Sequence, residues 1–195
     1  MRPPTSSVAD VVVVGGGIVG TAAASFLAGA GARVALVERE GLASGASGAN
    51  SGIVQHPFDP VLAALYRETV SLYRELSAVS TGFQLASQPA GMLFVAEQEA
   101  AAHRQAALIS ESFPELRIDV IGGTELQALE HAVGPDLWAC RVDIGYPVMP
   151  GASTYAYATL AEERGAEIRL GRAATLEVEH VEGWTPSSCF ISAAS

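Results

Sequence analysis

Apolar positions along this chain keep two spacings, and the switch between them marks its parts. Val11-Val12-Val13-Val14 is an unbroken β-branched run, the pattern of a strand covered on both faces in the middle of a parallel sheet. It leads into Gly15-Gly16-Gly17-Ile18-Val19-Gly20 and then an alanine-rich stretch, Thr21 to Gly29, that reads as a helix. Arg33 to Glu38 follows as a second buried strand that ends in an acid. Farther on, Leu62, Leu65, Tyr66, Thr69, Leu72, Tyr73, Leu76 and Val79 recur at three and four. That spacing predicts an amphipathic helix with the stripe in the core, capped by Asp59 and opened by Pro60.

The middle of the chain loses this regular beat. Phe83 to Leu85 and Gly91 to Val95 read as short strands separated by Pro89, Glu97 to Ser112 as a helix with acids in its first turn, and Arg117 to Ile121 as a strand. Thr124 is placed to cap a helix over Glu125 to His131, and Leu137 to Val142 suggests another strand. Short strands and helices without an even βαβ order predict an inserted α+β domain. After a turn-rich return over Asp143 to Pro150, Ser153 to Arg164 reads as a helix, Gly165 as its stop and Ala166 to Leu170 as a strand. Helix, glycine, strand is the order of a crossover that delivers another parallel strand to the first sheet. Thr175 to Val181 starts a further strand, and Met1 to Ser7 reads as a disordered leader.

Gly15, Gly17 and Gly20 fit G-x-G-x-x-G, and each has its own steric task. Gly15 allows a tight turn, Gly17 lets backbone approach a pyrophosphate, and Gly20 lets helix and strand pack closely. The amino-terminal N–H groups and dipole of the helix would face the phosphates. Glu38 lies about twenty residues farther on, at the tip of the second strand, where a carboxylate can accept hydrogen bonds from both hydroxyls of an adenosine ribose. A 2′-phosphate there would meet a like charge, an argument against NADP that neighbouring Arg39 weakens. The rival reading of Val11 to Ala30 as a membrane span or signal segment fails on its glycines, on Arg2 as the one positive charge before it, and on Arg33 to Glu38, which a span does not explain.

Gly41 to Gly52 is rich in glycine and serine and carries no charge. Composition alone fits a flexible linker. Its position just after the acid also fits a loop whose N–H and hydroxyl donors lie against the same ligand. With 195 residues, 49% hydrophobic and 16% charged, the chain can bury a core and is neither disordered nor fibrous. A net charge of -10 and a pI near 4.8, with no basic cluster, argue against nucleic acid and an anionic membrane surface as partners. Cys140 and Cys189 have no metal or C-x-x-C spacing and read as reduced thiols of a cytoplasmic protein; the four histidines are scattered and suggest no metal site.

Val12 to Gly20, Val37-Glu38-Arg39 and Gly45-Ala46-Ser47-Gly48-Ala49-Asn50-Ser51-Gly52 together resemble the start of the D-amino-acid-oxidase-like (DAO) superfamily of FAD-dependent oxidoreductases, which includes glycine oxidase, D-amino acid dehydrogenases, sarcosine oxidase and L-2-hydroxyglutarate dehydrogenase. The resemblance implies an α/β fold: a Rossmann-like FAD-binding domain with a parallel sheet, discontinuous over 1–58 and 143–183, and part of a substrate domain over 59–142, with an irregular tail over 184–195. It implies FAD rather than NAD. Gly15, Gly17, Ile18, Val19 and Gly20 would contact the pyrophosphate, Glu38 and Arg39 the adenosine, and Ala46, Ser47, Asn50, Ser51, Gly52 and Ile53 the pyrophosphate and flavin edge. Ala174 would touch the adenine through its backbone. Family members continue well beyond the point where this chain ends, so the chain is expected to be a truncated form.

The expected activity is oxidation of the CH–NH bond of an amino acid or related amine by hydride transfer to flavin. The alternatives are a 2-hydroxyacid dehydrogenase of the same fold and a flavin-binding fragment without catalysis. No general base is assigned. His56, in the turn Gln55 to Pro60, could be a polar group near the flavin, although a histidine so close to proline is more often structural.

Overall fold

The computed structural model describes residues 8–177 and 190–193. In chain order the elements are β1 (Val11–Val14), α1 (Ile18–Gly29), β2 (Val34–Glu38), β3 (Ile53–Val54), α2 (Pro60–Val79), β4 (Met92–Ala96), α3 (Glu99–Ser112), β5 (Ile118–Gly122), α4 (Gly123–Leu129), β6 (Trp138–Val142), β7 (Tyr146–Pro147), α5 (Ala152–Glu163), β8 (Glu167–Leu170), β9 (Ala174–Glu177) and β10 (Phe190–Ala193). They fall into two units, Met1–Ser51 with Leu76–Gln84 and Met149–Ser195, and Gly52–Glu75 with Leu85–Val148.

The first unit is built on a parallel sheet in the order β1-β2-β8, with Val11 opposite Val34 and Ala35 opposite Glu167. The predicted crossover through α5 therefore does deliver a parallel strand, and it pairs with β2. Among the described strands this places β1 at the end of the order, whereas the expected position is central. Val34 to Val37 are all buried, whereas Val12 and Val14 are 38% and 61% exposed. A strand needs neighbours on both sides before both its faces are covered, and among the described strands β2 has two and β1 has one. Ala24 and Ala28 of α1 meet Leu36, Val34, Ala161 and Ala166 in one core cluster; small side chains let α1 and α5 lie close to the sheet. Asp10 and Arg33 clasp the start of β1 to the start of β2 through a bidentate ion pair. Gly151 and Gly165, at φ +79° and +91°, bound α5 at its two ends.

The second unit carries the antiparallel sheet β4-β6-β5 and the two-stranded pair β3-β7. Cys140 and Val142 point to one side of β6, where they pack with Ile109 and Phe113. Ala139 points to the other side, with Leu126 of α4 and Ile121. This alternation is the period of two expected of a strand between two helices. Asp59 caps α2 as predicted, its Oδ1 accepting from the amides of Val61 and Leu62 at 2.9 Å each.

Several sequence expectations move. α1 begins three residues before Thr21. Phe83 to Leu85 forms no strand, and Phe83 is a single buried anchor instead. Gly123, at φ +56°, turns the chain from β5 into α4 in one step, so Thr124 lies inside the helix rather than capping it. On α2 the buried positions are Ala63, Val70 and Leu76, while Leu62, Leu65 and Val79 are exposed; the core-facing stripe is rotated from the one that large residues mark. The tail read as irregular over 184–195 contains β10, antiparallel to β9, and Cys189 lies outside the described residues.

Candidate dinucleotide site

The turn between β1 and α1 is fixed by a few close contacts. Gly15, at φ +108°, donates its N–H to the Val37 carbonyl at 2.9 Å, which ties the turn to β2 in a backbone conformation that favours glycine. Gly17 is the N-cap of α1 in extended backbone and offers no capping side chain. That role falls to Ser47, whose Oγ accepts from the Ile18 amide at 3.0 Å. The amides of Val19 and Gly20 are then first-turn donors without an intrahelical acceptor, at the positive end of the helix. A Cβ on Gly20 would be driven into the Gly15 carbonyl oxygen, so the third motif glycine sets the separation of helix and strand.

Glu38 turns back toward this bend. Its Oε2 accepts from the Gly16 amide at 2.7 Å and its Oε1 from the Glu40 amide at 2.8 Å. Those two amides, Gly16 first, hold its carboxyl below the usual carboxylate range. A Cβ on Gly16 would sit 2.9 Å from the Glu38 Cγ. Gly16 is thus a site residue that the glycine motif does not mark, because its constraint comes from a side chain on the next strand.

Residues 41–52 form a succession of turns. Gly48 and Ala49 both donate to the Gly45 carbonyl, Ala43 donates to Gly16 at 3.0 Å, and Tyr155 of α5 donates its hydroxyl to Leu42 at 3.1 Å. Asn50 closes the loop by donating its side-chain amide to the Ala46 and Ser47 carbonyls at 3.1 and 2.8 Å. The loop is anchored to the glycine turn, which the linker reading does not foresee.

Two clefts open on either side of Glu38. One, of about 250 Å³, is lined by Gly17, Arg39, Glu40 and Ser44 to Ser47; the other, of about 330 Å³, by Val14, Gly15, Val37, Arg172, Ala173 and Ala174, and Glu38 and Arg39 border both. Of the residues marked in the sequence, Gly15, Gly17, Glu38, Arg39, Ala46, Ser47 and Ala174 line these clefts, and Ile18 touches Ser47. Val19 is 81% exposed on α1, and Ser51 is exposed at the end of the loop. Gly52 and Ile53 belong to the second unit, at the start of β3. A further cavity in the first unit, about 320 Å³ beside Leu76, Leu160 and Glu163, shares none of these residues.

His56 lies in the second unit. It is buried, its Nδ1 accepts from the Phe58 amide at 3.2 Å, and Phe58, Tyr66 and Phe113 each meet its ring edge-on. Burial lowers its pKa, and its contacts are those of a core histidine. Cys140 is a buried free thiol whose pKa burial raises. Among the described residues no group of His, Cys, Asp and Glu is gathered as a metal site, and no helix is long and apolar enough to cross a membrane.

Solved structures share the fold of this chain. Glycine oxidase from Bacillus cereus ATCC 14579 superposes with a TM-score of 0.68 at 23% identity, over 90% of this chain and 49% of that one. L-amino acid deaminase from Proteus myxofaciens superposes at 0.72 and 24%, over 93% and 42%, and L-proline dehydrogenase from P. horikoshii at 0.70 and 23%, over 88% and 46%. The chain thus spans less than half the length of these structures, and the likeness shows the fold. No curated protein matches it in sequence. The family model for DAO, FAD dependent oxidoreductase, matches residues 10–193, nearly the whole chain, and so this chain, with its β1-turn-α1-β2 cradle, belongs to the DAO family of FAD-dependent oxidoreductases.

Proposed function

We propose that the first unit binds FAD and that the protein oxidises the CH–NH bond of an amino acid or related amine. The observation that carries the reading is the cradle itself. Free first-turn amides, a glycine bend held by a positive φ at Gly15 and by close contacts at Gly16 and Gly20, and a carboxylate at the adjacent strand tip fit a diphosphate joined to a ribose. Glu38 uses two of roughly four acceptor positions on its carboxylate for backbone amides, leaving the others for the ribose hydroxyls. The amides of Val19 and Gly20 and the Ser47 hydroxyl are placed as donors to the pyrophosphate. Resemblance adds Gly15, Gly17, Ile18, Arg39, Ala46, Asn50, Ser51, Gly52, Ile53 and Ala174 to the FAD contacts.

FAD supplies the two-electron acceptor for a hydride from the carbon beside the amine nitrogen; the chain's residues bind and orient it. The second unit is proposed as part of the substrate domain. No side chain is assigned as acid or base, since His56 is held in an aromatic cage and Cys140 is a buried thiol. The amine class rests on the family and on neighbours named as oxidase, deaminase and dehydrogenase of amino acids. The test is a visible spectrum of the purified chain with a donor panel. A flavin spectrum that bleaches with glycine, D-alanine, sarcosine or L-proline supports the reading. Bleaching only with 2-hydroxyacids moves the substrate class, and a bound flavin that no donor reduces restricts the chain to cofactor binding.

A further inference from the structure

The larger of the two clefts has a cationic rim that the reading above leaves unused. Arg172 follows β8, and its amide donates to the Glu38 carbonyl at 3.0 Å, which fixes it across from the acid at the mouth of the cleft. Five arginines elsewhere among the described residues are engaged: Arg33 with Asp10, Arg67 with Glu115, Arg141 with Asp143, Arg169 with Glu167, and Arg164 with Ser25. The Arg172 guanidinium has no ion pair or side-chain hydrogen bond among the described residues, in a protein of net charge -10. It is exposed, so it closes no core either.

We propose that Arg172 is a specificity residue for the adenosine end of the dinucleotide, its guanidinium plane closing the Val14–Val37–Ala174 cleft over the adenine ring. The proposal rests on the FAD reading. The choice of base over phosphate follows from the two clefts. The smaller one holds Gly17 and Ser47 at the α1 amino terminus and suits the phosphates. A ribose held at Glu38 between the clefts then sends its base into the other, whose lining is largely small and aliphatic: Val14, Gly15, Val37, Ala173 and Ala174. Such a slot takes a flat heteroaromatic ring, and a planar delocalised cation stacks on that ring where a lysine ammonium does not.

The test is titration of the purified 195-residue chain and its R172A and R172K variants with FAD, ADP and ribose 5′-diphosphate, with circular dichroism to establish that the variants fold. R172A is expected to weaken FAD and ADP by about three- to thirtyfold, the span from an exposed to a desolvated cation–aromatic contact. R172K recovers only a minor part of that loss, and ribose 5′-diphosphate, which has no base, binds all three proteins equally. An unchanged FAD affinity in R172A overturns the proposal while leaving FAD binding intact. An equal loss for ribose 5′-diphosphate overturns it in favour of a phosphate clamp. A wild-type chain that binds neither FAD nor ADP overturns the dinucleotide reading and this proposal with it.

Discussion

Removal of the Glu38 carboxylate acts on the fold of the glycine turn and on the proposed ribose contact at once. In Glu38→Ala the amides of Gly16 and Glu40 lose charge-assisted partners at 2.7 and 2.8 Å. A hydrogen bond to a charged group contributes about 1.5 to 3 kcal/mol where it is buried. Glu38 is only partly buried and both amides regain water in the variant, so screening and rehydration cut the sum to about 2 kcal/mol for the pair. Because the folded carboxyl titrates below its ordinary value of 4.5, this contribution is present above pH 4.5 and is lost as pH falls through the folded value. Urea unfolding at pH 7 should show the deficit, and the wild type should approach the variant below pH 4.5. The ribose contact adds a loss of about ten- to hundredfold in FAD affinity, the equivalent of one hydrogen bond to a charge. Glu38→Gln, which keeps the side-chain length and one acceptor, should fall between wild type and alanine in both assays. A folded Glu38→Ala variant that binds FAD as tightly as wild type would refute the assignment of this strand tip to the ribose.

Three other outcomes follow from local geometry. Gly20→Ala drives a methyl into the Gly15 carbonyl; it should destabilise the first unit by about 1 to 3 kcal/mol in urea unfolding, as overpacking does, whereas a stabilisation of about 1 kcal/mol, the usual helix gain from glycine to alanine, would mean α1 is free to move off β1. Asp59→Ala removes the cap of α2 and should cost about 1 kcal/mol; Asp59→Asn, which keeps an acceptor, should restore most of it, and equal losses in the two would assign the effect to charge instead. His56 is neutral in its aromatic cage and its pKa is lowered by burial, so the unfolded chain takes up its proton first and stability should fall as pH drops below about 6.5. A pH 7 to pH 5 series on wild type and His56→Phe should show that slope in the wild type alone, and parallel slopes would exclude His56 as its source.

What the sequence makes legible here is what neighbouring residues decide among themselves. A glycine bend between an aliphatic run and an alanine-rich helix is a local object, so β1, α1 and β2 and the acid at position 38 can be read directly, and the Asp59 cap and the Gly165 stop for the same reason. Coverage of a strand is not local. Val11 to Val14 and Val34 to Val37 look equally buried as strings, yet β8, arriving from some 130 positions away, pairs with β2 and leaves the outer residues of β1 exposed. The α2 stripe fails in the same way: the large residues mark one face, but burial falls on Ala63, Val70 and Leu76, and Ala63 joins a core cluster with Ile109, Phe113 and Cys140 from distant segments. The candidate site divides along this line too. Its phosphate side is written in consecutive glycines, whereas Gly16 is constrained by a side chain on another strand, and Arg172 reaches the acid only because β8 runs parallel to β2 in a register that opposes Leu170 to Glu38. An isolated arginine after a glycine carries no signal in the string. It becomes a candidate contact only when that register brings its backbone into hydrogen bond with Glu38, which makes the adenosine side of the cleft the part of this protein that pairing, rather than motif, determines.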